Sequence, residues 1–176
     1  LFATHGYDAV GVKQIVDEAE VTKPTLYHYF GSKKGLFETL IQEKSVNLLA
    51  ELKEASDYHG DIVQSVTLVT RCYFSIAKRQ PMFYRLILLT WFSPQPSEIY
   101  ESITALHQQQ FELIEQLFLK ASKDHGNMKG RHRMYAVSLR GMIDTYSGLS
   151  LQGYVQLDDE QLIYRIVHQF LHGIFS

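Results

Sequence analysis

One stretch of the chain, VTKPTLYHYFGSK (21–33), concentrates side chains that can bind nucleic acid. Leu26 and Phe30 lie four residues apart and predict a single apolar face on a two-turn helix. The outward positions combine a cation, hydroxyl groups and aromatic rings, which are the groups that contact phosphates and base edges. These positions are Lys23, Thr25, Tyr27, His28 and Tyr29. The arrangement predicts a DNA recognition helix rather than a catalytic site.

The flanking residues supply start and stop signals for this helix. Thr22 is a favourable N-cap, and Pro24 in the first turn loses no hydrogen bond. Gly31 can end the helix in the left-handed conformation, and Ser32 can cap the longer helix that follows. Because a two-turn helix is not stable alone, neighbouring elements must hold it.

A second short helix is predicted over 12–19, immediately before the recognition helix. Its inner side is formed by Val12, Ile15, Val16 and Ala19. Glu20 and Val21 form the tight turn, and we expect Val21 to fill the space between the two helices. Short helices over 12–19 and 23–30, so connected, predict a helix-turn-helix whose second helix enters the major groove.

The segment HGYDAVGVKQIVDEAEVTKPTLYHYFGSKKGLF (5–37) is similar to the DNA-binding domain of TetR/AcrR-family transcriptional regulators. The family pattern is a Gly-aromatic turn, a short helix, a Val-Ser/Thr turn, a Leu-Tyr-x-aromatic-Phe helix, and Ser-Lys-x-x-Leu. The chain matches it at Gly6-Tyr7, Val21-Thr22, Leu26-Tyr27-His28-Tyr29-Phe30 and Ser32-Lys33-Lys34-Gly35-Leu36. The motif covers about the first quarter of the chain, and the remaining helices match the family only in length and arrangement.

The resemblance implies DNA-contacting roles for ten side chains. The groove-facing residues would be Lys23, Thr25, Tyr27 and His28, with His28 reading a base. The phosphate contacts would come from Tyr29, Lys33 and Lys13. The apolar groove contacts would come from Val12 and Pro24, and Thr22 joins this surface as the helix cap.

Two residues depart from the family pattern. Gly11 stands where the family usually has a Ser or Thr that caps the first helix of the motif, so one phosphate contact is expected to be lost. Glu20 stands where Gly is common, which would strain the turn by about 1 kcal/mol if its φ is positive. A family member that senses a ligand but no longer binds DNA is therefore one alternative.

Composition limits the class of protein. The chain has 176 residues, 45% of them hydrophobic, and a net charge of −2, which argues against binding nucleic acid over the whole surface. Lysines nevertheless cluster around the motif, at Lys13, Lys23, Lys33 and Lys34. One cysteine, Cys72, and no signal peptide or apolar run of about 18 residues predict a soluble cytoplasmic protein. The first residues resemble the end of a helix, and the resemblance implies a preceding segment with a basic arm.

The rest of the sequence predicts an all-α chain without strands or repeats. Long helices are predicted from Ser32 to about Ala55 and from Ser97, as a cap, to about His125. Between them lie a helix capped by Asp61 and another over 82–92, which Ser93-Pro94-Gln95-Pro96 ends. Two more helices follow, over 131–153 and after a cap at Asp158. We predict a helix-turn-helix DNA-binding domain over 1–45 and a helical effector-binding and dimerisation domain over 46–176.

The four middle helices carry more aromatic side chains than a bundle of this size needs for its core. An ordinary core explains any one of them, but the group predicts a pocket for an apolar or aromatic ligand with a few polar groups. The candidate ligand residues are Tyr73, Phe74, Phe83, Trp91, Tyr100, His107, Phe111, Met142 and Tyr146, with Phe92 in the same group. In the family that the chain resembles, the corresponding helices enclose an effector site.

The last two helices carry the features expected of a dimer interface. Small residues on the helix over 131–153 would let another helix approach closely. The helix after Asp158 has an apolar band, extending to Ile174, that is wider than contact with one neighbouring helix would bury. The candidate interface residues are Ser138, Gly141, Thr145, Gly148, Ile163, Ile166, Val167 and Phe170. Two recognition helices paired in this way would gain affinity by contacting one face of the duplex.

Other chemistries have weaker support in the sequence. His168 and His172 lie four residues apart, a spacing that can bind zinc, but no third ligand is near in sequence. Nucleotide-binding loops and nucleophile motifs do not occur, and no cofactor is predicted. We interpret the chain as a dimeric, ligand-responsive regulator that binds double-stranded operator DNA, most often as a repressor released by its effector. A metal-binding or enzymatic helical bundle is the alternative from another class.

Overall fold

The computed structural model describes residues 1–91 and 98–173, and every regular element in these ranges is helical. The predicted all-α fold is therefore confirmed. In chain order the elements are α1 (Phe2–His5), α2 (Val12–Glu18), α3 (Lys23–Phe30), α4 (Lys33–Ala55), α5 (Ile62–Arg79), α6 (Pro81–Trp91), α7 (Tyr100–Ala121), a 3₁₀ turn (Gly126–Met128), α8 (His132–Leu151) and α9 (Glu160–His172).

The N-terminal helices form the predicted helix-turn-helix. α3 has the predicted limits, and α2 ends one residue earlier than predicted. Glu20 adopts a φ of 53°, so the turn has the left-handed conformation that L residues other than glycine adopt at a cost of about 1–2 kcal/mol. Val21 does not fill the space between the helices as expected, because its side chain is 42% exposed.

The turn between α3 and α4 depends on a close approach at Gly35. A Cβ atom at this position would lie 2.0 Å from the carbonyl oxygen of Phe30. Ser32 caps α4 by accepting a hydrogen bond of 2.9 Å from the backbone N–H of Gly35. The angle between α3 and α4 therefore requires glycine at position 35.

α4 connects the N-terminal helices to the body of the protein. Its buried side, formed by Phe37, Ile41, Leu48 and Leu52, belongs to one hydrophobic core that extends from α1 to α9. In the body, α8 packs against α5, α6 and α7, while α9 packs against α5. None of the helices that the structure describes has the length and hydrophobicity needed to cross a bilayer.

Several helix limits differ from those predicted. α7 begins at Tyr100 and ends at Ala121, four residues before the predicted end. The predicted cap Ser97, the 93–96 stop, Phe92 and Ile174 lie outside the described residues.

The cap of α9 also differs from the prediction. Asp159, rather than the predicted Asp158, caps this helix by accepting a hydrogen bond of 2.8 Å from the N–H of Gln161. The carboxylate of Asp158 instead forms an ion pair of 2.6 Å with the ammonium group of Lys78.

Candidate DNA-binding surface and ligand cavity

α3 is held by a cap and by its apolar face. The hydroxyl of Thr22 accepts a long hydrogen bond of 3.4 Å from the N–H of Thr25, and Gly31 ends the helix at a φ of 71°. Leu26 is buried and Phe30 is half-buried against the core. A helix too short to be stable alone is thus fixed at both ends and along one side.

The opposite face of α3 is open to solvent. Tyr27 is 47% and Tyr29 73% exposed, and Lys23, Pro24 and His28 are exposed beside them. The rings of His28 and Tyr29 are in edge-to-face contact, with centroids 5.2 Å apart. Rigid aromatic groups and a cation are therefore presented on one surface, and their predicted contacts with DNA stay predictions.

The two threonines of this surface are less free than the aromatic residues. The hydroxyls of Thr22 and Thr25 share a hydrogen bond of 2.8 Å, and Thr25 is only partly exposed. On α2, Lys13 is exposed, whereas Val12 packs partly against the core. As the sequence indicated, Gly11 gives α2 no side-chain cap.

Lys33 lies differently from the expectation that it holds a phosphate. Its ammonium group donates hydrogen bonds of 3.1 Å to the carbonyl oxygens of Tyr7 and Val10. It also lies 4.0 Å from the centroid of the Tyr7 ring, in a cation–π contact. Two of its three donors therefore hold the loop between α1 and α2, and the phosphate contact stays a prediction that depends on the third.

Two polar contacts connect the N-terminal helices to the start of α7. The hydroxyl of Tyr7 donates a hydrogen bond of 2.5 Å to the carboxylate of Glu98, and Ser102 donates one of 2.8 Å to Glu38. Burial, followed by the hydrogen bond to Glu98, raises the pKa of Tyr7 well above its ordinary value. Tyr7 is therefore protonated and remains the donor in this contact.

The body contains a buried polar network that joins α5, α7 and α8. Arg140 is only 6% exposed, and its Nε donates a hydrogen bond of 2.8 Å to Asp144. Its Nη1 donates to the hydroxyl of Tyr73 at 2.6 Å and to the side-chain oxygen of Gln110 at 2.5 Å. Tyr84 of α6 extends the network through a hydrogen bond of 2.8 Å to Asp144.

The charges in this network are fixed. Burial lowers the pKa of Arg140, but Tyr73 and Asp144 raise it by more, so the net direction is upward and the guanidinium stays charged. Burial raises the pKa values of Tyr73 and Tyr84 above the ordinary value, so both phenols stay neutral. One cation and one carboxylate thus balance each other inside the body.

A groove of about 460 Å³ lies beside this network, between α6, α7 and α8. It is lined by Leu88, Trp91, Phe111, Val137, Arg140, Gly141, Asp144 and Thr145. A second cavity of about 210 Å³ shares Trp91 with it and is also lined by Tyr100 and His107. Four of the nine predicted ligand residues, Trp91, Tyr100, His107 and Phe111, therefore border these two cavities.

His107 is a neutral histidine in the wall of the smaller cavity. Its ring centroid lies 4.2 Å from that of Trp91, and its Nε2 has no hydrogen-bond partner among the described residues. Burial, with the charge of Arg140 in second place, lowers the pKa of His107 to about 3.

The other predicted ligand residues lie elsewhere. Phe83 lines a separate cavity of about 420 Å³ between α1, α2, α4 and α6, so it does not border the groove beside the buried network. Phe74 is buried and contacts Tyr146, with ring centroids 6.5 Å apart. Phe74, Tyr146 and Met142 do not line the two cavities described above. Tyr73 belongs to the buried network.

The polar wall of the groove was not predicted from the sequence. Arg140 and Asp144 line the groove but are absent from the predicted ligand residues, although they lie four apart on α8. That spacing allows an ion pair on one helix face, and it is the signal from which the charged wall could have been found.

The predicted dimer residues of α8 are only partly available to a partner. Ser138, Gly141 and Thr145 are exposed, and Gly141 and Thr145 also line the groove. A Cβ atom at Gly148 would lie 3.8 Å from Leu88, so this glycine faces α6 of its own chain.

Three of the interface residues predicted on α9 are buried within the chain itself. Ile163, Ile166 and Val167 are 1–2% exposed, because the apolar side of α9 packs into the chain's own core. Phe170 is half-buried, and its ring centroid lies 6.0 Å from that of Phe118. The surface of α9 that remains exposed includes Tyr164, and it lies on the other side of the helix.

The described residues hold no group of three potential metal ligands. The ring centroids of His168 and His172 are 4.5 Å apart, but within residues 1–91 and 98–173 no carboxylate, thiol or third imidazole completes a site there.

Comparison with known proteins assigns the N-terminal helices to a family. Residues 1–40 match the model of the bacterial regulatory proteins of the tetR family. The chain is also 30% identical over 142 residues to the HTH-type transcriptional activator FasR of Mycolicibacterium smegmatis, covering 79% of this chain and 62% of FasR. Residues 1–40 therefore carry the DNA-binding helices of the tetR family.

Solved structures share the fold of this chain along almost its whole length. The regulator FadR from Bacillus subtilis, in complex with stearoyl-CoA, matches with a TM-score of 0.80 at 19% identity, covering 98% of this chain and 93% of FadR. AibR, in complex with isovaleryl coenzyme A and operator DNA, matches with a TM-score of 0.72 at 20% identity, covering 96% and 90%. The chain spans about 62% of the length of FasR.

Proposed function

We propose that this chain is a TetR-family, sequence-specific DNA-binding transcriptional regulator, with a DNA-binding domain over 1–45 and an effector-binding and dimerisation domain over 46–176. The observation that supports this most is the exposed face of α3, which presents Lys23, Tyr27, His28 and Tyr29 on a helix held by caps and core contacts. Binding to an operator also leads us to propose a cytoplasmic location.

The test is a comparison of single variants on a DNA sequence selected from a random library. His28→Ala should relax preference at one base position, at a cost of about 1–3 kcal/mol there, if His28 reads a base. Tyr29→Ala should weaken binding to every sequence alike, because a phosphate contact is independent of sequence. Tyr154→Ala is the control, since Tyr154 is 75% exposed and follows α8, far along the chain from α3. Unchanged binding by both α3 variants would reject the proposed recognition helix.

We propose that the effector occupies the groove between α6, α7 and α8 and that its binding releases the DNA, as in a repressor. The groove combines apolar walls with a charged network at one end, which suits an apolar molecule carrying one polar group. FadR and AibR were both solved with coenzyme A thioesters, so acyl-CoA esters of several chain lengths are the first probes. Phe111→Ala should alter the response to the effector more than DNA affinity without effector, as gel-shift titrations would measure.

We propose a homodimer that pairs the exposed surfaces of α8 and α9. Met134 of α8 and Tyr164 of α9 are more than half exposed, an apolar surface that a partner chain would cover. Paired heads would lie about 34–36 Å apart, one turn of DNA. Tyr164→Arg should shift sedimentation towards the monomer, whereas Val46→Arg on α4 should not. Sedimentation of the unmodified protein as a monomer at micromolar concentration would reject the dimer.

A further inference from the structure

Arg140 has one donor group that no described residue uses. Its Nε and Nη1 are paired with Asp144, Tyr73 and Gln110, at distances of 2.5–2.8 Å. Its Nη2 is buried and has no hydrogen-bond partner among the described residues. Leaving a buried charged donor unpaired costs about 1–3 kcal/mol or more, so the site is incomplete without an acceptor.

The unpaired donor belongs to a residue that lines the 460 Å³ groove. The walls around it are formed by the apolar side chains Leu88, Trp91, Phe111 and Val137. A volume of this size is within the range of small-molecule sites, in which apolar walls hold the body of a ligand and a few polar groups orient it. The groove therefore suits a largely apolar molecule with one acceptor oxygen near Arg140.

The charge balance of the site indicates which kind of oxygen it accepts. Asp144 already compensates the guanidinium charge and itself lines the groove, while Tyr73 and Gln110 contribute no charge. A ligand carboxylate would bring a second negative charge next to Asp144 without a second cation to balance it. A neutral carbonyl oxygen can accept the free hydrogen bond without this cost.

We propose that the groove selects an acyl ester or thioester, whose neutral carbonyl oxygen accepts a hydrogen bond from Arg140 and whose acyl chain packs along Leu88, Phe111 and Val137. The inference rests on the proposed effector role of this groove and specifies the chemical class of the effector. A groove with this preference would discriminate between an activated acyl group and the free fatty acid of the same length, which differs from it mainly in charge.

Three probes with the same twelve-carbon chain test the proposal in the intact protein. Methyl laurate has a neutral carbonyl oxygen, laurate has a charged carboxylate, and dodecyl methyl ether has no carbonyl and only a weakly accepting ether oxygen. Trp91 is the single tryptophan of the chain and lines both the groove and the smaller cavity, so its fluorescence reports occupancy of either, and Phe111→Ala, which alters only the groove, assigns the signal. A hydrogen bond from a charged donor is worth about 1.5–3 kcal/mol, and the ether oxygen is a weaker acceptor than a carbonyl, so methyl laurate should bind more tightly than the ether, by up to about 10–100-fold. It should also bind more tightly than laurate.

Each outcome of this series has a defined meaning. Equal binding of ester and ether, or tighter binding of laurate than of the ester, would overturn the inference. If those probes still changed the affinity for DNA, the proposed function would survive that result. A Trp91 signal that responds to none of the three would also overturn the inference, while the DNA-binding variants of α3 would test the regulator independently.

A variant of Arg140 assigns the donor. Arg140→Lys keeps a cation opposite Asp144 but has no group equivalent to Nη2. The preference for ester over ether should therefore fall to about equal binding. Arg85→Lys is the matched control, because Arg85 is an exposed residue of α6. An ester preference that persisted in a folded Arg140→Lys protein would assign the donor to another residue and overturn the proposal. If this variant does not fold, the probe series on the unmodified protein decides the question.

Discussion

Replacing Lys33 by methionine separates its structural contacts from a phosphate contact. Methionine keeps most of the aliphatic chain but removes the two hydrogen bonds to the carbonyls of Tyr7 and Val10 and the contact with the Tyr7 ring. Lys33 is partly exposed, so we take about 1 kcal/mol for each hydrogen bond, below the range for buried charged pairs. The cation–π contact adds about 0.5–1 kcal/mol. The free energy of unfolding should therefore fall by about 2–3 kcal/mol.

Urea denaturation measures this loss, and the salt dependence of DNA binding measures the alternative. A lysine that only holds the fold should shift the plot of log affinity against log salt in parallel, whereas loss of a phosphate contact lowers its slope by about one. Lys34→Met is the matched control, since Lys34 forms only an exposed ion pair of 3.7 Å with Glu38. It should cost no more than about 0.5 kcal/mol. Unchanged stability of Lys33→Met together with a lower salt slope would refute our reasoning.

Three other positions and one titration give further predictions. Gly35→Ala should destabilise the protein and weaken DNA binding, because the new Cβ would lie 2.0 Å from a backbone oxygen; normal melting and normal DNA affinity would contradict the α3–α4 geometry. Glu20→Gly should raise the free energy of unfolding, measured in urea, by about 0.5–1 kcal/mol, because relief of the positive φ outweighs the added entropy of the unfolded chain. Glu18→Gly, within α2, should instead destabilise the protein. Because the folded state lowers the pKa of His107 to about 3, the free energy of unfolding should fall as pH decreases from about 6.5 towards 3, by about 1–2 kcal/mol at pH 5. His107→Leu should remove this part of the acid sensitivity. The same pH profile in the variant as in the unmodified protein would contradict the burial of the imidazole. Tyr7→Phe removes the hydrogen bond to the start of α7, and we expect a smaller effect of effector on DNA affinity in gel shifts; unaltered coupling would show that this contact transmits nothing.

The helix-turn-helix was predictable because its signals are local. A cap at Thr22, an apolar pair four residues apart and a glycine at position 31 specify α3 within ten residues of sequence. The same local reasoning placed α4 from Lys33 to Ala55. It also identified Glu20 as the residue at risk of strain.

Contacts between distant segments were not predictable in this way. The interaction of Lys33 with Tyr7 joins residues 26 positions apart, and a lysine next to a DNA-binding helix is equally consistent with either role. The apolar band of α9 is real, but the sequence does not say whether such a band packs on the same chain or on a partner. Ile166 shows the outcome, since it is buried against the chain's own core.

If the groove holds the effector as we propose, the buried network limits how the ligand preference can change, in evolution or in a designed biosensor. Tyr73, Gln110, Arg140 and Asp144 are paired with one another, so replacing any one of them strands a buried partner at a cost of about 1–3 kcal/mol. The apolar wall has no such constraint, and a residue such as Leu88 can change size on its own. New specificities are therefore reached most easily by altering chain length and shape, while the polar end of the ligand is inherited unchanged.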